Sequence, residues 1–358
     1  MKFPRAARGR GSASNPKNRF EAIERISDLP DGNDEVPSPQ TQFFPDTTKS
    51  IIAYNDSPDV GFDASINAYR GCEHGCVYCY ARPTHEYLGF SSGLDFETKI
   101  MVKENAPELL RKELASPKWQ PQVLALSGVT DCYQPAERKR QLTRRCLEVL
   151  VEFRNPVVIV TKNYLVTRDI DILRELARYQ CVGVTISVTT LDPKLCSVME
   201  PRASSPTRRL AAIKALAEAG IPVGYLQAPM IPGLTDSEAP AIAKAAAKAG
   251  ATFAGYVALR LPFAVKSLFE QWLDRHFPDR KEKILNRIRS IRDGKLNDPN
   301  FTSRMHGEGI FAEQMADLFQ IACKKAGIQK RWPELTTKNF RRPGSSQLSL
   351  FTSESSNL

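Results

Sequence analysis

Short apolar runs alternate with longer segments of helical periodicity between about residue 60 and residue 260. The apolar runs predict six strands, at Ser65–Tyr69, Val123–Leu126, Val157–Thr161, Val182–Val188, Val223–Gln227 and Thr252–Leu259. The periodic segments predict helices, at Ala106–Ala115, Ala136–Phe153, Asp169–Tyr179, Thr207–Ala219 and Ser237–Lys248. Strands separated by helices favour a parallel sheet, because parallel strands need crossover connections. Six such units are too few for an eight-fold barrel, so the pattern predicts an α/β fold with an open, partial (β/α)6 barrel.

The pattern divides the chain into four parts. Residues 1–48 are rich in Pro, Asn, Ser, Asp and Arg and predict a flexible N-terminal arm. The partial barrel is expected at 49–262, and a basic helical extension at 263–331. Its candidate helices are Phe269–His276, Lys281–Arg292 and Ile310–Lys325. Residues 332–358 are rich in Pro, Ser, Gly, Thr and Arg and predict a disordered tail.

Length and composition limit the class of protein. The 358 residues are 42% hydrophobic, which is enough to bury a sizeable core. No apolar run approaches the ~18 residues of a membrane span, and the basic N-terminus lacks an apolar stretch. We therefore expect no membrane span and a cytoplasmic location.

The charge of the chain is unevenly distributed. The net charge is +10, and residues 266–342 hold 17 Lys and Arg against 10 Asp and Glu. A basic surface suits a polyanionic partner, and a merely solvated face is the alternative. The basic side chains crowd one predicted helix and its end: Lys281, Lys283, Arg287, Arg289, Arg292 and Lys295.

Three of the eight cysteines lie within one loop. Cys72, Cys76 and Cys79 have the spacing C-x3-C-x2-C, directly after the first predicted strand. Thiolates are ligands for iron–sulfur clusters and for zinc. Three of them can hold three corners of a cubane, which leaves the fourth iron open to a small molecule. A structural zinc site completed by His74 or His85 is the alternative, although such sites usually pair two C-x2-C knuckles.

Polar residues follow the other predicted strands, where the chemistry of such barrels is located. Most of them also have a structural explanation. The residues at 127–131 could form an ordinary turn or helix cap, and Lys162 could be a surface lysine. Glu200 and Arg202 could form an ion pair that either brackets a cofactor or only fixes a loop. Cys132 is either reactive or a small buried filler. The residues are Ser127, Thr130, Asp131, Cys132, Lys162, Ser187, Glu200 and Arg202.

Several segments resemble a known superfamily, the radical S-adenosylmethionine (radical SAM) enzymes. The cysteine spacing with Tyr78 as its aromatic position is the signature of that superfamily. The resemblance extends over about residues 50–325. Within the superfamily, the sequence is similar to the branch related to spore photoproduct lyase, which is often labelled DNA repair photolyase. The segments that carry it are GCEHGCVYCYARPTHEYLG, SGVTDCYQPAE, VTKNYLVTRDID, TISVTTLD, MEPRASSPTRRL and PMIPGLTD.

The resemblance implies a radical SAM fold and its chemistry. It implies a [4Fe–4S] cluster on Cys72, Cys76 and Cys79, with S-adenosylmethionine bound to the open iron. One electron, from reduced flavodoxin or ferredoxin, would cleave it to methionine and a 5′-deoxyadenosyl radical. The substrate implied is damaged DNA, repaired by a lyase-type reaction.

The resemblance also implies roles for single residues. Ser127, Thr130 and Asp131 would hold the methionyl amine, and Lys162 would pair with the methionyl carboxylate. Ser187 would offer its hydroxyl to the ribose or methionine part. Cys132 would donate a hydrogen atom. The other cofactor contacts implied are Tyr78, Glu200 and Arg202.

A short apolar motif stands in the predicted tail. It resembles the pentapeptide by which repair proteins bind the DNA polymerase sliding clamp, and packing of the tail on its own domain is the alternative. The motif is Gln347, Leu348, Ser349, Leu350 and Phe351.

Two other functions stay open for the chain: radical SAM modification of RNA or protein, and a non-catalytic iron–sulfur protein associated with DNA.

Overall fold

The computed structural model describes residues 9–21, 39–328 and 332–343. Within these ranges the strands form one sheet of seven and one of three. The strands are β1 (Gln42–Pro45), β2 (Ile52–Tyr54), β3 (Ala64–Ile66), β4 (Tyr69–Arg70), β5 (Lys99–Val102), β6 (Leu124–Leu126), β7 (Val157–Thr161), β8 (Val182–Ser187), β9 (Val223–Met230) and β10 (Phe253–Ala258).

Helices surround the larger sheet and extend beyond it. They are α1 (Leu94–Thr98), α2 (Ala106–Ala115), α3 (Glu137–Arg140), α4 (Leu142–Phe153), α5 (Ile170–Arg178), α6 (Pro193–Met199), α7 (Pro206–Glu218), α8 (Ala239–Lys248), α9 (Val265–His276), α10 (Lys281–Ser290), α11 (Ser303–His306) and α12 (Ile310–Ala326). Short 3-10 helices lie at Arg82–Leu88, Tyr164–Asp169, Asp236–Glu238 and Pro278–Arg280. Among the described residues, no helix is both long and apolar enough to cross a bilayer.

The larger sheet has the order β10-β9-β8-β7-β6-β3-β2. Its neighbours are parallel from β10 to β3, and β2 joins antiparallel at the edge. Strand β8 is buried along its whole length, as expected for a parallel sheet covered on both faces. The predicted open α/β barrel of six parallel strands is therefore confirmed. We call the carboxyl ends of these strands the mouth.

The helix predicted at Ala136–Phe153 is broken in the structure. Gln141 has a left-handed backbone (φ 53°) that separates α3 from α4. The Glu137 carboxylate accepts hydrogen bonds from the backbone N–H groups of Thr143 (3.1 Å) and Arg144 (3.4 Å). These bonds satisfy the free donors at the start of α4, which makes a separate helix favourable there.

Helix α12 completes the outer layer of the barrel. Its Phe319 ring lies 6.0 Å from the ring of Tyr225 on β9, and Cys323 Sγ lies 3.6 Å from the hydroxyl of the same tyrosine. A second apolar core joins α9 and α10 to the chain near the mouth, through Phe269, Val77 and neighbouring side chains. Packing therefore continues across the boundary predicted at residue 262.

One residue of the predicted basic surface is structural. Arg292 is only 2% exposed, and its guanidinium donates to the carbonyl oxygens of Leu259 (2.9 Å) and Ser303 (2.6 Å). It is therefore not available to a polyanion, in contrast to the exposed Lys283.

An ion pair joins the two edges of the open sheet. Arg304, in α11 beside β10, donates to both carboxylate oxygens of Asp59, at 2.7 and 2.6 Å. Asp59 lies in the loop between β2 and β3. This bidentate pair links the edges that the hydrogen-bond ladder leaves apart.

Residues 332–343 run across the amino ends of the strands. Trp332 packs on Phe253 with ring centroids 5.2 Å apart, and the N–H of Thr336 donates to the carbonyl of Gln180 (3.1 Å). Phe340 packs on Phe153 at 6.2 Å. This part of the predicted disordered tail is ordered because its aromatic rings cover apolar surface. The motif at 347–351 lies outside the described residues, and its clamp binding stays a prediction.

We predict that Phe340→Ala lowers the free energy of unfolding by about 1–3 kcal/mol, because a half-buried ring loses its contact with the core. Urea denaturation measures the change, with the exposed Lys338→Ala in the same segment as control. Equal stability of the two variants would mean that residues 332–343 do not cap the sheet.

Candidate active site

The cysteine loop begins directly after β4, at the mouth. The side chains of Cys72 and Cys76 are buried, and that of Cys79 is partly exposed. Backbone hydrogen bonds fold the loop into consecutive turns, from Gly75 N–H to Cys72 O (3.4 Å) and from Cys79 N–H to Cys76 O (3.2 Å). Gly75 has φ 68°, and a Cβ there would lie 2.6 Å from Glu97 Oε2. Only glycine fits this position without displacing a buried carboxylate.

A fully buried ion pair supports the loop from behind. The guanidinium of Arg82 donates to the carbonyl oxygens of Cys76 (2.9 Å) and Gly75 (3.2 Å). It also pairs with Glu97 (Nη2 to Oε1, 2.6 Å), and neither side chain is exposed. The pair fixes the loop backbone between two of the three cysteines.

The N-terminal segment lies against the same carboxylate. Glu97 accepts hydrogen bonds from the N–H groups of Gly11 (3.0 Å) and Ser12 (2.9 Å), and Arg10 donates to the Glu97 carbonyl (2.9 Å). A Cβ on Gly11 would lie 1.8 Å from the carbonyl oxygen of Gly75. Residues 9–21, which we call the strap, thus pack on the cysteine loop. They differ from the flexible arm that composition predicts, because Glu97 satisfies their backbone donors.

Asp131 connects three elements at the mouth. Its carboxylate accepts hydrogen bonds from Thr161 Oγ1 (2.7 Å) and Lys162 N–H (2.8 Å), and lies 3.3 Å from His74 Nδ1. Burial opposes charge on both partners, but it is outweighed for His74 by Asp131 and Cys72, and for Asp131 by His74 and the hydrogen bonds that its carboxylate accepts. The pKa of His74 rises to about 10 and that of Asp131 falls to about 2. Both Asp131 oxygens therefore already have protein partners.

Tyr78 is part of a buried polar network. Its hydroxyl donates to Glu200 Oε1, which also accepts from Thr189 Oγ1 (3.0 Å). The other carboxylate oxygen of Glu200 pairs with Arg209 on α7. Burial works against the charge of Glu200, but Arg209 and Lys162 lower its pKa.

The predicted pairing of Glu200 with Arg202 is wrong. Arg202 instead pairs with Glu73 (3.1 Å) and donates to Thr41 Oγ1 (3.3 Å). Arg209 reaches Glu200 because α7 packs beside β8, where it also donates to the carbonyl of Ser187 (3.1 Å). Glu200 therefore pairs with Arg209, nine residues away in sequence, and not with Arg202, two residues away.

The remaining predicted residues have different surroundings. Ser127 has a left-handed backbone (φ 81°), and its Oγ accepts a hydrogen bond from Cys132 N–H (2.7 Å). Thr130 is buried and donates to the carbonyl of Tyr69 (3.1 Å). Lys162 is half-buried, with Nζ 5.9 Å from the ring centroid of Tyr78.

Cys132 lies within the main apolar core. Burial, followed by the nearby Asp131, raises the pKa of its thiol. These surroundings are those of a packed cysteine, and they favour the filler interpretation over that of a hydrogen-atom donor at the mouth.

Sequence reasoning missed the groups that hold the site together: Arg82, Glu97, Arg209 and the strap. Arg82 lies three residues after Cys79, and this closeness in sequence was the one signal that could have identified it. Glu97 and Arg209 gave no local signal, since only the fold brings their partners near. Among the described residues, no three His, Cys, Asp or Glu side chains are grouped to hold a single metal ion.

A family model described as the radical SAM superfamily matches residues 66–246, about half of the chain. This chain belongs to the radical SAM superfamily. The matched region contains the cysteine loop and the strands from β4 to β9.

Uncharacterized proteins are among its similar relatives. One from Mycobacterium tuberculosis is 37% identical over 243 residues, which are 67% of this chain and 70% of the relative. Another, from Methanocaldococcus jannaschii, is 29% identical over 222 residues, 62% of this chain and 79% of the relative.

The fold is similar to solved structures of spore photoproduct lyase. One, complexed with dinucleoside spore photoproduct, has a TM-score of 0.56 at 16% identity and covers 80% of both chains. A point mutant of spore photoproduct lyase has the same TM-score and identity and covers 82% of both chains. At 16% identity, the similarity to these structures shows the fold alone.

Radical SAM enzymes use a [4Fe–4S] cluster and S-adenosylmethionine. The residues of this chain fit such a cluster. Three thiols of one loop supply the soft ligands that iron–sulfur clusters require, and each binds a different iron, so the sulfurs need not converge on one point. Burial raises the pKa of the Cys76 thiol, so a free thiolate there is unfavourable without a bound cation.

We predict that Gly11→Ala displaces the strap, because the added Cβ cannot occupy a position 1.8 Å from the Gly75 carbonyl oxygen. Loss of the hydrogen bonds to Glu97 should lower the free energy of unfolding by about 1–3 kcal/mol and speed tryptic cleavage after Arg10. Gly255→Ala is the matched control, because its Cβ meets only a side-chain methyl of Leu226, at 3.1 Å. Identical cleavage rates in both variants would show that the strap is not held by this contact.

Proposed function

We propose that this radical SAM protein cleaves S-adenosylmethionine at a cluster held by Cys72, Cys76 and Cys79, and acts on damaged DNA in a lyase-type repair reaction. One observation carries the proposal: three thiols, two of them buried, share a single loop at the mouth of a parallel sheet in a chain of this superfamily. Barrels of this kind carry their chemistry at that end.

The chain's own groups hold the loop ready for the cofactor. Arg82 fixes the carbonyl oxygens of Gly75 and Cys76, and the buried Glu97 balances its charge. A reduced cluster held by these cysteines would supply the one electron that cleavage of S-adenosylmethionine to methionine and a 5′-deoxyadenosyl radical requires. Cys72, Cys76 and Cys79 would hold the cluster, and with only three protein ligands it would keep a site for S-adenosylmethionine.

Lys162 is the proposed partner of the cofactor carboxylate. Its backbone is fixed by the hydrogen bond from its N–H to Asp131, while its half-buried ammonium group lies over Tyr78. A lysine supplies a point charge without a required geometry. Ser127, Thr130 and Ser187 provide polar groups at the strand ends, and Asp131 anchors the loop that carries Ser127 and Thr130 through its hydrogen bonds with Thr161 and Lys162.

Damaged DNA is the proposed substrate class. The net charge of +10 and exposed basic residues such as Lys283 suit a polyanion. The likeness of the fold to spore photoproduct lyase adds support by analogy only.

We predict that the reconstituted, reduced protein forms 5′-deoxyadenosine from S-adenosylmethionine, and that ultraviolet-irradiated DNA increases the yield over undamaged DNA. Cys76→Ala should abolish the product because it removes one cluster ligand, whereas Cys181→Ala, a buried cysteine outside the loop, should retain it. Anaerobic chromatography measures the product. A yield indifferent to DNA would leave the radical enzyme but reject this substrate, and no product despite four bound irons would reject the enzyme.

We predict that Lys162→Met weakens binding of S-adenosylmethionine by about tenfold or more, because a charge-assisted hydrogen bond is worth about 1.5–3 kcal/mol. Iron content should stay unchanged, since Lys162 is not a proposed cluster ligand. Equilibrium binding to the anaerobic holoprotein gives the affinity. An unchanged dissociation constant would remove Lys162 from the cofactor site.

A further inference from the structure

Three large aromatic side chains are exposed together beside the mouth. Phe20, Tyr87 and Phe263 are 57%, 73% and 58% exposed. Phe20 and Tyr87 stack with ring centroids 4.8 Å apart. Arg19 lies between them and Phe263, with its guanidinium carbon 5.0 Å from the Phe20 centroid and 3.6 Å from that of Phe263. We call these four residues the rim patch.

The rim patch is built on a fixed frame. Arg19 pairs with Glu86 at 2.5 Å, and the amide of Asn18 donates to the carbonyl oxygens of Glu86 (2.9 Å) and Phe90 (3.0 Å). Phe263 has φ 50°, a left-handed conformation that is unfavourable for a residue with a side chain. Backbone strain of this kind concentrates at functional sites.

Isolated exposed apolar side chains are ordinary, but a contiguous group of large ones usually marks a binding surface. The rings here are also combined with basic side chains, and with one acid, Glu21, whose carboxylate lies beside Gly89. The Arg19 side chain is 29% exposed, whereas its partner Glu86 is 0% exposed. The patch therefore presents the positive member of the pair to solvent, and the exposed Lys17 and Lys266 flank it in sequence.

The rim patch leads towards the cysteine loop. Tyr87 lies on the 3-10 helix that follows the loop. Phe263 lies three residues after Arg260, whose guanidinium carbon is 5.4 Å from the ring centroid of Tyr80. Tyr80 directly follows Cys79, and its hydroxyl donates to the Gly128 carbonyl at the end of β6 (2.7 Å). The segments that carry Tyr87 and Phe263 thus also carry Tyr80 and Arg260, which contact each other at the mouth.

We propose that the rim patch binds single-stranded or locally unpaired nucleic acid by stacking of its bases on Phe20, Tyr87 and Phe263. This inference rests on the proposed function for the choice of a nucleic acid over a protein partner. Every base has a π face, so exposed rings with nearby cations bind a single strand without reading its sequence.

The test is a titration of fluorescently labelled oligonucleotides with the full chain, followed by anisotropy. The probes are a thymidine 12-mer and an abasic 12-mer with the same phosphate backbone. Variants are Tyr87→Ala, Phe263→Asn and both together. Asparagine tolerates a left-handed backbone, so Phe263→Asn removes the ring without new strain. Tyr54→Ala is the matched control, because Tyr54 is 68% exposed on the edge strand β2.

We expect the wild-type protein to prefer the thymidine probe. Each single variant should lose about 5- to 150-fold in affinity for it, from about 1–3 kcal/mol per stacked base. Tyr54→Ala should bind like the wild type. Circular dichroism and the melting temperature establish that each variant is folded, and either single variant suffices for the test.

Three outcomes would overturn the inference. These are equal affinity for the two probes, unchanged binding by the folded variants, or the same loss in Tyr54→Ala. Because the titration contains neither S-adenosylmethionine nor reductant, its result does not depend on cofactor cleavage. A base-dependent loss without cofactor cleavage in the wild type would reject the proposed function and keep the rim patch.

Discussion

The buried ion pair of Arg82 and Glu97 is the interaction on which the site depends. Two charges without exposure are stable only when their remaining donors and acceptors are satisfied, and breaking such a pair costs about 3–5 kcal/mol. Arg82 uses its other donors on the cysteine loop and on the carbonyl oxygens of Ser92 and Gly93. Glu97 uses its oxygens on the strap. One ion pair therefore holds together the strap, the cysteine loop and the segment at Ser92 and Gly93.

The open barrel was predictable because its strands are short apolar runs, some of them rich in β-branched residues, with helical segments between them. The segment VVIVT has no helical alternative of useful length, and β7 lies at the predicted residues. The cysteine loop was predictable because its ligands are neighbours in sequence. Arg209 and Glu97 were not predictable, since their partners lie nine and fifteen residues away in sequence and only the fold brings the side chains together. The break at Gln141 was missed because a tertiary contact from Glu137 overrides a continuous helical pattern.

The two ends of the described chain were misjudged for the same physical reason. Composition indicates how much apolar surface a segment can bury by itself, but not what the rest of the molecule offers it. The strap has few apolar residues and is held by backbone hydrogen bonds to a buried carboxylate. Residues 332–343 contribute two aromatic rings to apolar surface that the sheet already presents. In both cases a segment with little periodicity gains order from its partner.

The segment at 332–343 has a consequence for biosynthesis. A ribosome makes these residues after every strand of the sheet, so the amino ends of the strands have no cover while the chain is being translated. Phe153 and Phe253 then face solvent or a chaperone. A polypeptide truncated before Trp332 would keep that apolar surface exposed, which quality-control proteases recognise in incompletely folded chains. The apolar surface at the amino ends of the strands is thus covered only after residues 332–343 have been made.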